Sequence, residues 1–169
     1  MGVHDHHIST EWENLVKVFE AYGDKGFNGN DCLLQGVNHR STFDWEKIPA
    51  YHLSDYFIAR LKEDLPLSKD ERKLYDFLRC YSIHLDWPRR PASDLAVQSS
   101  IVFRPERVKE ITGQIGDLDL DKALEYYGSV GAGYTGGWPK ERMQEHLRKV
   151  ITFWTEAAAR GDAIIHTEF

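Results

Sequence analysis

Residues 139–169 read PKERMQEHLRKVITFWTEAAARGDAIIHTEF, and this stretch decides the fold class. Met143, Leu147, Val150, Ile151, Trp154 and Ala158 recur at three- and four-residue steps, which places them on one side of a long helix starting at Pro139. Gly161 follows the last periodic position and fits the C′ site of a helix, where a left-handed backbone is favoured. The closing run Ala163-Ile-Ile-His-Thr-Glu-Phe169 is rich in β-branched residues and predicts a strand. Such a strand needs neighbours, because an uncovered edge invites association. Ile101-Val-Phe103 and residues 3–8 are the natural partners, so the predicted sheet draws on both ends of the sequence.

Working back from this stretch, Pro105 opens a helix with Val108, Ile111 and Ile115 facing inward, and residues 120–127 read as a further short helix. Ser68 and Glu71 form a capping box ahead of a stripe made by Leu74, Phe77, Leu78, Tyr81 and Leu85. Pro49 fits the first turn of another helix, with Leu53, Tyr56, Phe57 and Leu61 on its inner face. Thr10 and Glu13 give a second capping signature before Trp12, Leu15, Val16 and Phe19, a helix running to about Tyr22. Residues 23–30 are turn-rich, 32–37 read as a short strand, 38–43 read as loop, and 96–100 show no period. The expected architecture is a single α+β domain over residues 1–169: a small mixed or antiparallel sheet packed with five to six helices.

The chain has 169 residues, 41% hydrophobic and 28% charged, with five Trp, eight Tyr and eight Phe. A domain of this length builds a full core without covalent staples. The net charge of −6 argues against a nucleic-acid partner, which calls for a basic face. Cys32 and Cys80 form no CxxC pair, so a reducing, cytoplasmic setting is expected. No apolar run is long enough to span a membrane, and the opening MGVHDHHIST has neither the basic nor the apolar part of a signal peptide.

The motifs are weighed by the context their chemistry needs. Gly131-Ala-Gly133-Tyr-Thr-Gly136 matches GxGxxG, in which glycines let backbone approach a pyrophosphate at a helix N-terminus. No buried strand precedes it, and one βαβ unit exhausts the chain, so a structural loop without a bound dinucleotide or other cofactor is expected. Asp117, Asp119 and Asp121 suggest a calcium loop, but Lys122 and Gly128 occupy positions where an EF-hand needs Gly and Glu. These acids instead suit a helix N-terminus. His4 and His6 would share one face of a strand and are the weak metal-ligand candidates, short of the three or four ligands a site requires.

Two polar-aromatic clusters fall in predicted loops, where binding residues concentrate. One comprises Asn38, His39, Arg40 and Ser41 with Asp44 and Trp45; the other comprises Trp87, Arg89 and Arg90. Tyr134 and Trp138, beside the glycine-rich loop, complete the candidate binding set. No sequence pattern marks a catalytic residue.

Phe103-Arg-Pro-Glu-Arg-Val-Lys-Glu-Ile111 resembles the LTPEEVxEIA segment of the YfbM-like family, bacterial proteins of unknown function. Phe153-Trp-Thr-Glu-Ala-Ala-Ala-Arg-Gly-Asp-Ala-Ile-Ile165 resembles that family's closing fYxxAAxrGdaVL pattern, with Tyr134 and Trp138-Pro139 in the expected order. The resemblance covers residues 101–169. The segment 74–85 occupies the place of the family's central helix but lacks its Trp. The likeness implies an α+β fold and a bacterial origin, and brings no catalytic residues with it.

The function expected from these readings is protein–protein interaction, of the immunity or antitoxin kind that neutralises a toxin domain. An acidic binder is steered toward a basic target, and loop-borne Trp and Arg are favoured contact residues. The alternative is a small enzyme or ligand-binding domain working through the His/Arg/Trp loops.

Overall fold

Strand β5 (Ala163–Glu168) is the centre of the sheet. It pairs on one side with β1 (His4–Thr10), which pairs in turn with β2 (Ser41–Glu46). On its other side it pairs with β4 (Ser100–Phe103), which carries the short β3 (Leu95–Val97). The order is β2-β1-β5-β4-β3, and every pairing is antiparallel. The sheet is thus antiparallel throughout, the second of the two expected forms. The computed structural model describes residues 4–22, 39–62, 66–81, 95–97, 100–128 and 138–168.

Register assigns the two faces. His7 lies opposite both Phe43 and His166, Ser9 opposite both Ser41 and Ile164, and Phe103 opposite Ile164. Because side chains alternate along a strand, these residues share one face. Ile8, Ile165 and Val102 share the other and are buried, as is Leu15. β1 and β5 therefore bury residues on both faces, although β1 contains a single aliphatic residue, Ile8.

Six helices occur among the described residues: α1 (Trp12–Tyr22), α2 (Lys47–Lys62), α3 (Lys69–Tyr81), α4 (Pro105–Ile115), α5 (Leu120–Ala123) and α6 (Lys140–Arg160). Helices α2 to α6 bury one continuous core with the first sheet face, including Leu53, Phe57, Leu74, Phe77, Val108, Ile111, Leu147, Trp154, Phe103 and Ile164. Trp154 is fully buried and meets the edges of Phe77 and Phe103 at centroid distances of 5.7 and 5.1 Å. Such edge-to-face contacts add to the burial of the rings themselves. The expected inner positions of α6 are buried at Met143, Leu147, Val150 and Trp154 and half-buried at Ile151 and Ala158.

Several expected elements change. Residues 38–43 are not all loop: β2 starts at Ser41, because β1 offers a pairing edge that local composition does not reveal. Within 96–100, where no period was visible, Ala96, Val97 and Ser100 join the β3–β4 pairing. The short helix expected over 120–127 ends at Ala123 and passes through turns to Gly128, whose φ is +92°. Thr10 is the last residue of β1, and α1 begins at Trp12. Leu61 is 49% exposed rather than inward. The inner face of α2 runs Leu53, Tyr56, Phe57, Arg60, and Leu61 sits one step around the helix from it. The expected strand at 32–37, the Gly131/Gly133/Gly136 motif and Cys32 lie outside the described residues.

Arg60 takes that inner position because a carboxylate meets it there. Glu71 Oε1 accepts from Arg60 Nε at 2.7 Å and Tyr56 Oη at 2.9 Å, while Oε2 accepts from Arg60 Nη2 at 3.3 Å and the Ser68 backbone N–H at 2.8 Å. The last contact is half of the predicted capping box; the Glu71 N–H donating to Ser68 Oγ at 3.1 Å is the other half. Arg60 also lies over the Tyr126 ring, 4.5 Å from its centroid. Burial raises the Glu71 pKa, but the donors from Arg60, Ser68 and Tyr56 prevail and hold it below the usual carboxylate range. The same burial and the neighbouring carboxylate push the Tyr56 hydroxyl up. Glu71→Ala removes the carboxylate that faces the buried Arg60, and urea unfolding is expected to show a loss of about 3–5 kcal/mol.

Candidate functional site

The end of α6 and the start of β5 assemble the densest polar cluster. Gly161 adopts φ 73°, ψ 29°; its N–H donates to Ala158 O at 3.1 Å, and the Asp162 N–H donates to Ala157 O at 2.9 Å. This is the Schellman pattern, and it turns Asp162 inward. Asp162 is fully buried. Its Oδ1 accepts from Arg40 Nη1 at 3.0 Å and its Oδ2 from Arg160 Nε at 2.8 Å. Arg160 Nη2 donates to Ser9 Oγ and to Ser41 Oγ, each at 3.0 Å, and the two hydroxyls are 2.6 Å apart. The Arg40 N–H donates to Ser9 O at 2.9 Å, and its guanidinium also pairs with Glu11. A single buried carboxylate thereby fastens α6, β1 and the entry to β2.

Beside this cluster, β2 and α6 border a shallow groove of about 460 Å³ lined by Ser41, Thr42, Phe43, Arg148, Thr152 and Phe153, with Glu145, Lys149 and Glu156 also on its wall. Phe43 and Phe153 form the apolar floor, with ring centroids 6.1 Å apart. Charges of both signs stand around it. Glu156 links the groove to the polar cluster through Arg160, 3.9 Å away.

Buried imidazoles continue the aromatic floor into the core. His7 and His166 lie side by side on β1 and β5 with centroids 4.5 Å apart, and His7 meets Phe43 and Phe153 edge-on at 6.4 and 6.2 Å. His146 of α6 contacts Phe43 at 5.7 Å and Trp138 at 5.5 Å. Burial, with help from positive Lys149 and Arg142, depresses the His146 pKa from 6.5 to about 4.

The sequence candidates separate in space. Arg40 enters the polar cluster, and His39 is exposed immediately before it. Asp44 and Trp45 lie on β2 rather than in a loop, with side chains outside the described part. His4 and His6 are on β1 and likewise described by backbone alone. Trp138 is half-buried at the start of α6, with Arg142 over its ring at 3.8 Å and its carbonyl accepting from Tyr127 Oη at 3.1 Å. Burial pushes that Tyr127 hydroxyl up to about 12. Asn38, Trp87, Arg89, Arg90 and Tyr134 lie outside the described residues.

Among the described residues no group of three or more His, Cys, Asp or Glu is placed to hold a metal ion. Asp119 caps α5 by accepting from the Asp121 and Lys122 N–H groups, and Asp117 pairs with Lys69 and Lys73. No described helix is long and apolar enough to cross a membrane. Ser41, from the same predicted cluster as Arg40, also enters the polar cluster; Ser9, Arg160 and Asp162 were not among the sequence candidates, and the Gly161-Asp162 step was the one local signal pointing toward them.

The fold is similar to that of YfbM from Escherichia coli, a protein of unknown function. The TM-score is 0.51 at 11% sequence identity, over 98% of this chain and 99% of that one. At such identity the likeness is one of fold. No protein-family model matches the sequence, and no curated protein matches it.

The buried His146 has a pH consequence. As pH falls, the unfolded chain takes up the proton near the ordinary value of 6.5, while the folded chain resists until about 4. The unfolded state binds more protons in that window, so the His146 contribution to stability is lost as pH falls through it. His146→Leu is expected to reduce the acid-induced drop in unfolding free energy by about 3 kcal/mol, measured by urea titrations above and below the window.

Proposed function

We propose that the chain is a divergent relative of the YfbM-like family that works as a protein-binding module, of the kind that neutralises a toxin domain by covering it. The observation that carries this reading is the aromatic-floored groove beside β2, the end strand of the described sheet. An extended segment laid alongside an end strand gains main-chain hydrogen bonds and points alternate side chains at the floor. The rim offers Arg148 and Lys149 together with Glu145 and Glu156, which sets register by charge. The net charge of −6 favours a basic partner.

The polar cluster next to the groove supports this role rather than a reactive one. Arg40, Arg160 and Asp162 are paired with each other, and Ser9 and Ser41 are held by Arg160. The cluster therefore rigidifies the strand that would receive the partner.

The partner to test is the polypeptide encoded beside this gene, purified and titrated by calorimetry. Thr152→Arg fills the groove and Arg148→Glu reverses its rim; each is expected to weaken binding about tenfold or more. Both sites are exposed, so the fold tolerates them. Absence of binding, or equal affinity in both variants, removes the proposal.

A further inference from the structure

A second concavity lies between α3 and α4 and shares no described lining residue with the groove. It encloses about 360 Å³ and is bordered by Lys73, Asp76, Phe77 and Arg79 from α3 and by Arg107, Gln114 and Ile115 from α4. Helical spacing explains the convergence. Lys73 and Phe77 are one turn apart, Asp76 and Arg79 follow the same side, and Arg107 and Gln114 are two turns apart on α4. The floor is apolar, since Phe77 and Ile115 belong to the core.

Among the described lining residues the cleft gathers three cations, Lys73, Arg79 and Arg107, with one carboxylate, Asp76, while Asp117 and Glu110 pair with Lys73 and Arg107 from outside that lining. Lys73 and Arg107 sit deeper than these two carboxylates. Lys73 is 19% exposed against 69% for its partner Asp117, and Arg107 is 29% exposed against 54% for Glu110. Exposed carboxylates contribute little to such pairs, so an incoming anion displaces them at small cost. An anion seated in the cleft would meet Arg107 as a planar fork suited to carboxylate or phosphate, with Lys73 as a second point charge and the Gln114 amide as a neutral donor.

We propose that the α3–α4 cleft is a binding site for a small organic oxyanion, a phosphate monoester or carboxylate joined to an apolar body. The oxyanion pairs with Lys73, Arg79 and Arg107, while the apolar part rests on Phe77 and Ile115. Size fits this class, because small-molecule sites begin at about 300 Å³ and combine apolar walls with a few convergent polar groups.

The test is an amide-resolved NMR titration of the full chain with three probes of similar size: phenyl phosphate, benzoate and uncharged benzyl alcohol. At least one of the two anions is expected to give saturable shifts confined to α3 and α4 at millimolar concentration, and the stronger identifies the headgroup. Benzyl alcohol is expected to give none. Arg107→Gln and, independently, Gln114→Glu on the exposed surface of α4 are each expected to weaken the anion about tenfold. No saturable shifts with either anion, equal binding of benzyl alcohol, or unchanged affinity in both variants overturns the assignment.

Discussion

Gly161 makes the reversal that the sheet depends on. At this residue the longest helix stops and the chain re-enters the fold as the central strand, with Gly161 and Asp162 donating back to Ala158 and Ala157. A side chain at φ 73° pays a conformational penalty that glycine does not. Without the reversal, β5 is not delivered between β1 and β4, and the two halves of the sheet have no common neighbour. The adjacent Asp162 then ties the turn to Arg40 and Arg160, so the backbone stop and the polar cluster are one device.

Two buried carboxylates organise opposite parts of the molecule by similar means. Glu71 gathers Arg60, Tyr56 and the Ser68 N–H where α2 meets α3, and Asp162 gathers Arg40 and Arg160 where α6 meets the sheet. In each case the charge is tolerated because several donors replace water. Such arrangements favour one geometry more than they add stability, since an apolar replacement of the whole pair is often as stable. The groove beside β2 and the cleft between α3 and α4 are bordered by elements fixed in this way.

Much of the fold was legible where short-range physics decides it. The Ser68/Glu71 capping box, the stripe Leu74, Phe77, Leu78 and the Pro105 helix with Val108, Ile111 and Ile115 each declare themselves within a few residues. The closing strand and its partners were legible too, because a β-branched terminal run has few ways to be buried. β2 was not, since Ser41 to Glu46 becomes a strand through pairing with β1, more than thirty positions away. Leu61 was misplaced because the pattern treats charge as outward-facing and could not know that Arg60 has Glu71 inside. The candidate site was legible only at Arg40 and Ser41. Its other members, Ser9, Arg160 and Asp162, come together across separations as large as 151 positions, and spacing carries no trace of that.

The central position of β5 also governs the order of assembly. β1 contains residues 4–10, yet its inner neighbour is residues 163–168. A nascent chain can form the α2–α5 helices early, but it holds β1 half-paired until residues 163–168 have emerged from the ribosome. For that interval Ile8 and His7 lack the strand that later shields them. Pairing across such a span is slow, because loop closure precedes any gain from contact. The topology thus divides biosynthesis into a helical layer that can condense during translation and a sheet that completes afterwards.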